Sequence, residues 1–181
     1  LFGQLDADSN LTIDFGFVNP PRSIGNRLWY DVNNNGQFDV GELPVVGARV
    51  SLYLDAVADG VPDDLGVIND TSDDWLAFDT TDVNGYYLFD NLPANNYIVG
   101  VDRINFTAGQ PLDEYTSSTT TVDNAANNLD NRDNGIDRVQ PGDATLSPFG
   151  VISTRINLTA TPVNAPTGET GSGNTAATLG F

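Results

Sequence analysis

The chain contains no cysteine and no histidine, and its seven basic residues are all arginine (Arg22, Arg27, Arg49, Arg103, Arg132, Arg138 and Arg155), so lysine is missing too. Without cysteine there are no disulfides and no thiolate–metal chemistry. Without histidine the usual general base and the commonest transition-metal ligand are gone. Without lysine there is no Schiff-base chemistry and no amide cross-link through a lysine amine. Catalysis would rest on carboxylates and hydroxyls alone. No pair of them stands in a recognisable acid–base frame such as the two carboxylates of a glycosidase, so the sequence does not read as an enzyme.

Long apolar runs are also missing. No stretch approaches the length needed for a membrane-spanning helix. No signal peptide is visible, and a chain starting at Leu1 reads as processed or as a fragment. Positive charge is scarce: 25 acidic residues against 7 basic ones give a formal charge of −18. Such a surface repels nucleic acid and anionic lipid, and it repels itself unless cations neutralise it.

What is present is β-strand pattern. Short alternating or β-branched segments recur between Gly, Pro, Asn and Asp, and helical periodicity is hard to find. The expected strands are Leu11 to Val18, Ser23 to Tyr30, Ala48 to Leu54, Trp75 to Thr80, Tyr86 to Asp90, Asn96 to Asp102, Ser117 to Val122, Val151 to Ala160 and Ala176 to Phe181. "TDVNGY" between two of them is a hairpin signal, because Asn-Gly suits positive φ. Many short strands with turn chemistry predict an all-β, antiparallel β-sandwich with long acidic loops. Trp29, Tyr53, Phe78, Tyr87, Phe89 and Tyr97 are expected to fill its core.

The two ends resemble each other: "SNLTIDFGF" and "GNTAATLGF" both lead from an Asn-containing turn into a short strand ending Gly-Phe. If the second closes this domain, residues 1–18 are an extension strand that belongs to, or is donated to, a preceding unit. "VNPPR" then reads as a stiff linker at 19–22, and 23–181 as the sandwich, with an insertion at about 55–74. An ordinary N-terminal strand in the same sandwich is the plainer alternative.

The stretch "DVNNNGQFDVGE", Asp31 to Glu42, has the residue order of an EF-hand calcium loop. Its flanks, "RLWY" and "LPVVGARVSLYL", look like strand rather than helix. Taken with these flanks, "IGNRLWYDVNNNGQFDVGELPVVGARVSLYL" and the later "TTDVNGYYLFDNLPANNYIVGV" resemble the SdrD B-like (serine-aspartate repeat protein B) domain. That domain is one of the Cna B-type, prealbumin-like sandwiches of prokaryotic surface proteins. The resemblance is strongest from Ser23 to Val101. It continues loosely through "NNLDNRDNGID" and "SPFGVISTRINLTA" to the final "TLGF". It implies an Ig-like/prealbumin-like fold and a calcium-stabilised, extracellular, often tandem module serving as a stalk or fibre segment, without catalysis. Many Cna B-type domains carry an internal Lys–Asn or Lys–Asp isopeptide bond, which a chain without lysine cannot form.

Within this resemblance, a calcium clip joins two strands. Asp31, Asn33 and Asn35 would offer side-chain oxygens, Gln37 its carbonyl, Asp39 a direct or water-mediated ligand, and Glu42 both carboxylate oxygens, with Gly36 making the sharp turn. Phe38 would anchor the loop to the core. Two further acidic loops are weaker calcium candidates. One carries Asp55, Asp59, Asp63 and Asp64, and the other Asp130, Asp133, Asn134 and Asp137; a solvated loop is the plain alternative for each. Sequons mark Asn10, Asn69, Asn105 and Asn157 as glycosylation candidates. The expected function is a calcium-stabilised repeat or subunit of a prokaryotic extracellular fibre, stalk or surface layer. It would assemble head to tail with copies of itself by strand pairing through Leu11 to Phe17. The alternative is an adhesin module gripping a host protein or glycan through its insertion and Trp75.

Overall fold

The computed structural model describes residues 15–16, 22–58, 60–62, 74–118, 133, 135–136 and 149–158. Among them are eight strands: β1 (Arg22–Arg27), β2 (Arg49–Leu54), β3 (Asp74–Thr80), β4 (Tyr86–Leu92), β5 (Asn95–Val101), β6 (Gly135–Ile136), β7 (Val151–Ser153) and β8 (Ile156–Leu158). The one helical element among these residues is a single 3-10 turn, Arg103–Phe106.

The larger sheet has six strands in the order β3-β2-β5-β7-β6, with β8 also paired to β5. β7 and β8 lie along the same strand: Ile152 faces Gly100 and Ile156 faces Tyr97. The smaller sheet is β1 paired with β4, where Ile24 faces Phe89. All of these pairings are antiparallel.

The alternation in the sequence explains the two layers. In "RVSLYL", Val50 and Leu52 point between the sheets. They join Ile24, Phe89, Leu92, Tyr97, Val99, Ile156 and Leu158 in the main core. Fully burying each large aliphatic or aromatic side chain stabilises by about 1.5–3 kcal/mol. Side chains one residue out of phase face the opposite way, and Tyr53, Ile98 and Ile152 form a second cluster with Trp75 and Phe149. Both faces of β2 and β5 are therefore covered, which fits their unbroken runs of apolar and small residues.

Several expectations need correcting. The Asn-Gly turn does reverse the chain, with Gly85 at φ 82, but the strands beside it do not form a ladder with each other. β3 pairs with β2 and β4 with β1, so the turn is a corner between sheets. The Asp79 carboxylate accepts the Leu88 N–H at 2.9 Å, satisfying a donor that a hairpin partner would have taken. Phe78 is 53 % exposed rather than in the core. It lies on the outward side of β3, where the Arg49 guanidinium covers its ring at 4.2 Å. The single strand expected from Val151 onward is broken at Thr154 and Arg155, and β6 was not anticipated. Ser117 and Ser118 are not in a strand, and neither are Phe15 and Gly16. The rest of the expected strand from Ser117 to Val122, the remainder of Leu11 to Val18, and Ala176 to Phe181 lie outside the described residues.

Candidate metal centre

Loop 31–42 is closed at its base by main-chain pairing. Tyr30 N–H donates to the Leu43 carbonyl and Val45 N–H to the Leu28 carbonyl, each at 2.9 Å. Trp29 and Pro44 form an isolated antiparallel bridge there. Two strand-like ends thus do for this loop what two helices do in an EF-hand. Its tight path needs left-handed backbone at Asn34 (φ 54) and Gly36 (φ 72), positions that suit Asn and Gly.

The side chains expected as ligands point their oxygens around the loop. Asp31 accepts Asn35 N–H at 3.1 Å and Gly36 N–H at 2.7 Å, one on each carboxylate oxygen. The Asn33 oxygen accepts Asn35 N–H at 3.1 Å, and the Asn35 oxygen accepts Gln37 N–H at 2.8 Å. Glu42 uses both oxygens, accepting Val32 N–H and Asp39 N–H at 2.9 Å each. One oxygen of Asp39 receives both side-chain amides, Asn33 Nδ2 and Asn35 Nδ2, each at 2.8 Å. The donor set is made of hard oxygens, the type that calcium requires, and two N–H donors crowd one of its carboxylate oxygens. Among the described residues no three carboxylates are drawn together tightly enough to hold an ion. Asp31 and Glu42 are turned instead to backbone N–H groups.

Phe38 anchors the loop, but to the edge of the sandwich rather than its interior. Its ring meets Trp29 edge-on with centroids 6.1 Å apart. The Arg27 guanidinium lies 4.2 Å from the Phe38 ring and 4.4 Å from the Tyr86 ring, tying the loop to β1 and β4 by cation–π contact.

Distant segments also reach the loop. Ser118 Oγ donates to Asp31 Oδ2 and lies 3.1 Å from Asn34 Oδ1. Asp133 N–H donates to the Gly36 carbonyl at 2.8 Å. Tyr30 OH donates to the Pro111 carbonyl at 2.8 Å, and its ring sits 4.8 Å from that of Tyr115. Burial pushes the Asp31 carboxyl up, but the Ser118 hydroxyl and the N–H groups of Gly36, Asn35 and Asn34 outweigh it. Together they hold its pKa below the ordinary 3.8. A carboxyl depressed by folding contributes stability that is present above its unfolded value and lost as pH falls through its folded value. In calcium-free buffer, melting temperature should therefore fall as pH drops below about 4, and Asp31→Asn should flatten that limb of the curve.

Of the weaker candidates, Asp133 is brought beside the main loop, a neighbourhood that sequence spacing does not reveal. Asp55 is 1 % exposed. Its counter-charge is Arg155, with Nε 3.7 Å from Oδ2, and Arg155 also donates to the Ala58 carbonyl. Asp59, Asp63, Asp64, Asp130, Asn134 and Asp137 lie outside the described residues. Among the sequons, Asn157 is exposed, and Asn10 and Asn69 lie outside the described residues. Asn105 is a correction. It is 2 % exposed, its oxygen accepts Arg49 N–H at 2.8 Å, and its Nδ2 donates to the Arg49 and Asp102 carbonyls at 2.7 and 2.9 Å. Its amide is a structural bridge, closed to a glycan in the folded chain.

The family model of the SdrD B-like domain matches residues 22–146. The chain belongs to this family. The SdrD B-like chain is 36% identical over 102 residues to serine-aspartate repeat-containing protein F of Staphylococcus epidermidis, covering 56% of this chain and 5% of that one. It is 37% identical over 100 residues to a fibrinogen-binding protein of Staphylococcus epidermidis, covering 55% and 8% respectively. Over 94 residues it is 34% identical to colossin-B of Dictyostelium discoideum, covering 51% and 2%. The chain therefore spans only a small part of each relative.

Proposed function

We propose that this SdrD B-like chain is a calcium-stabilised structural module of an extracellular, cell-surface stalk, fibre or layer in a prokaryote. The observation that carries the reading is the oxygen-rich ring of loop 31–42, set between strand ends and fastened to both β1 and distant segments. Asp31, Asn33, Asn35, Asp39 and Glu42, with the Gln37 carbonyl, would hold the ion. Calcium there supplies positive charge that draws together acidic groups which otherwise repel across a chain of formal charge −18. With strands rather than helices at the loop ends, there is no helix pair to swing open, so the output is stiffness and not a sensor switch.

The sheets support a mode of assembly. Among the described residues the smaller sheet has two strands against six in the larger. Beside β1 a cavity of about 400 Å³ has Ile24, Tyr87 and Val99 in its lining. Phe15 is 79 % exposed, and the apolar residues Leu11, Ile13, Phe15 and Phe17 alternate as they would on a half-buried strand. A strand of this pattern, donated by a neighbouring copy, would extend an open sheet edge and link units head to tail. Deleting residues 1–18 should leave a folded monomer and abolish polymers in electron micrographs. Polymers of unchanged length from the shortened chain would exclude donation.

The adhesin reading has one relative named for fibrinogen binding in its favour. Against it, Trp75 is engaged in its own sheet: Nε1 lies 3.3 Å from Ser51 Oγ, and its ring stacks on Phe78 at 6.5 Å.

A further inference from the structure

We infer that Ser118, 87 residues beyond the start of the calcium loop, is a positioning residue for the cation. It makes the loop a clasp between two distant parts of the chain. The inference rests on the calcium reading of loop 31–42 and deepens it.

Asp31 holds the first ligand position. Its carboxylate is fixed from within the loop by Asn35 and Gly36 N–H. From outside the loop it takes a hydrogen bond from the Ser118 hydroxyl on Oδ2. The hydroxyl also lies beside Asn34 Oδ1 at 3.1 Å. It therefore sits where the left-handed turn of the loop meets the first ligand. A neutral donor here leaves the full negative charge of Asp31 for the ion while restricting rotation of the carboxylate. Outer-shell groups that orient a ligand in this way typically change metal affinity by about 10- to 100-fold when removed.

The stretch leading to Ser118 is itself held to the loop. Tyr115 packs on Tyr30, the residue just before Asp31, and the Tyr30 hydroxyl reaches the Pro111 carbonyl. On the far side of the turn, Asp133 N–H holds the Gly36 carbonyl. An ion that fixes Asp31 therefore also fixes Tyr115 to Ser118, and ordering of that segment pre-sets the site. The two halves of this exchange are equal by linkage.

The test is calorimetric titration of the full chain with calcium, together with terbium luminescence sensitised by nearby aromatics such as Trp29 and Tyr30. Ser118→Ala should weaken calcium binding about tenfold, and Ser118→Thr should restore it. The alanine chain, which already loses a hydrogen bond in excess chelator, should fall further behind wild type in melting temperature when calcium is added. Wild-type chain that binds no calcium would overturn the calcium reading and this inference with it. Wild-type binding with equal affinity in Ser118→Ala would overturn the inference alone. Should the alanine variant fold poorly, amide exchange in the wild-type chain decides. Protection of Tyr115 to Ser118 must rise on adding calcium, and unchanged exchange there rules the clasp out.

Discussion

Stripping calcium with a chelator is expected to lower the melting temperature of this chain by roughly 8 °C relative to saturating calcium. One site filled at about a hundredfold excess over its dissociation constant adds about 2.7 kcal/mol, and a chain of this size gains about 2–4 °C per kcal/mol. The double variant Asp31→Ala, Glu42→Ala should melt at one temperature with or without calcium. Those two carboxylates sit at opposite ends of the loop, and removing them takes away two of its three charges. They also accept backbone N–H groups, those of Asn35, Gly36, Val32 and Asp39 among them. The variant should therefore start somewhat below the calcium-free wild type. Scanning calorimetry separates the two effects, because only the calcium-dependent increment belongs to the ion. If wild type and variant respond alike to calcium, the clip is not where the ion acts.

Asn105→Ala should destabilise the chain by about 2–3 kcal/mol, whether or not calcium is present. The side chain closes the corner between β2 and the 3-10 turn after β5, with its oxygen on Arg49 N–H and its Nδ2 on two carbonyls. Alanine leaves the Arg49 N–H without that partner at the start of β2 and removes a donor from two carbonyls. The Arg49 carbonyl keeps one donor, Asp102 N–H at 3.1 Å, which limits the loss. Asn105→Asp should cost more, since it places a charge where the side chain is 2 % exposed. Chemical denaturation with a fixed slope would report the change; a shift below 0.5 kcal/mol would mean the bridge contributes little. Intact mass of material from a glycosylating host should show Asn105 bare.

The β class and most strand positions were legible because alternation is a local signal. Val50 and Leu52 with Ser51 between them, or Tyr97 and Val99 flanking Ile98, state which residues share a face before any partner is known. Loop 31–42 was legible for the same reason, since its acceptors and its turn residues lie within twelve positions. Phe78 was misplaced because hydrophobicity does not say which strand is an edge. The Asn105 sequon misled because three residues of sequence look the same on a surface loop and in a buried corner.

Sequence by itself determined the chemistry available: no thiol, imidazole or amine, a large excess of carboxylates, and one ring of hard oxygens in fixed order. Short-range steric preference and period-two patterning were enough to make that chain a sandwich of strands. Tertiary structure alone decided what the ring is fastened to. Arg27 between Phe38 and Tyr86, Asp133 on Gly36 and Ser118 on Asp31 are contacts between segments far apart in the chain. Contacts of that kind arise only when burial of the core fixes which loops end up side by side, and no local pattern encodes them.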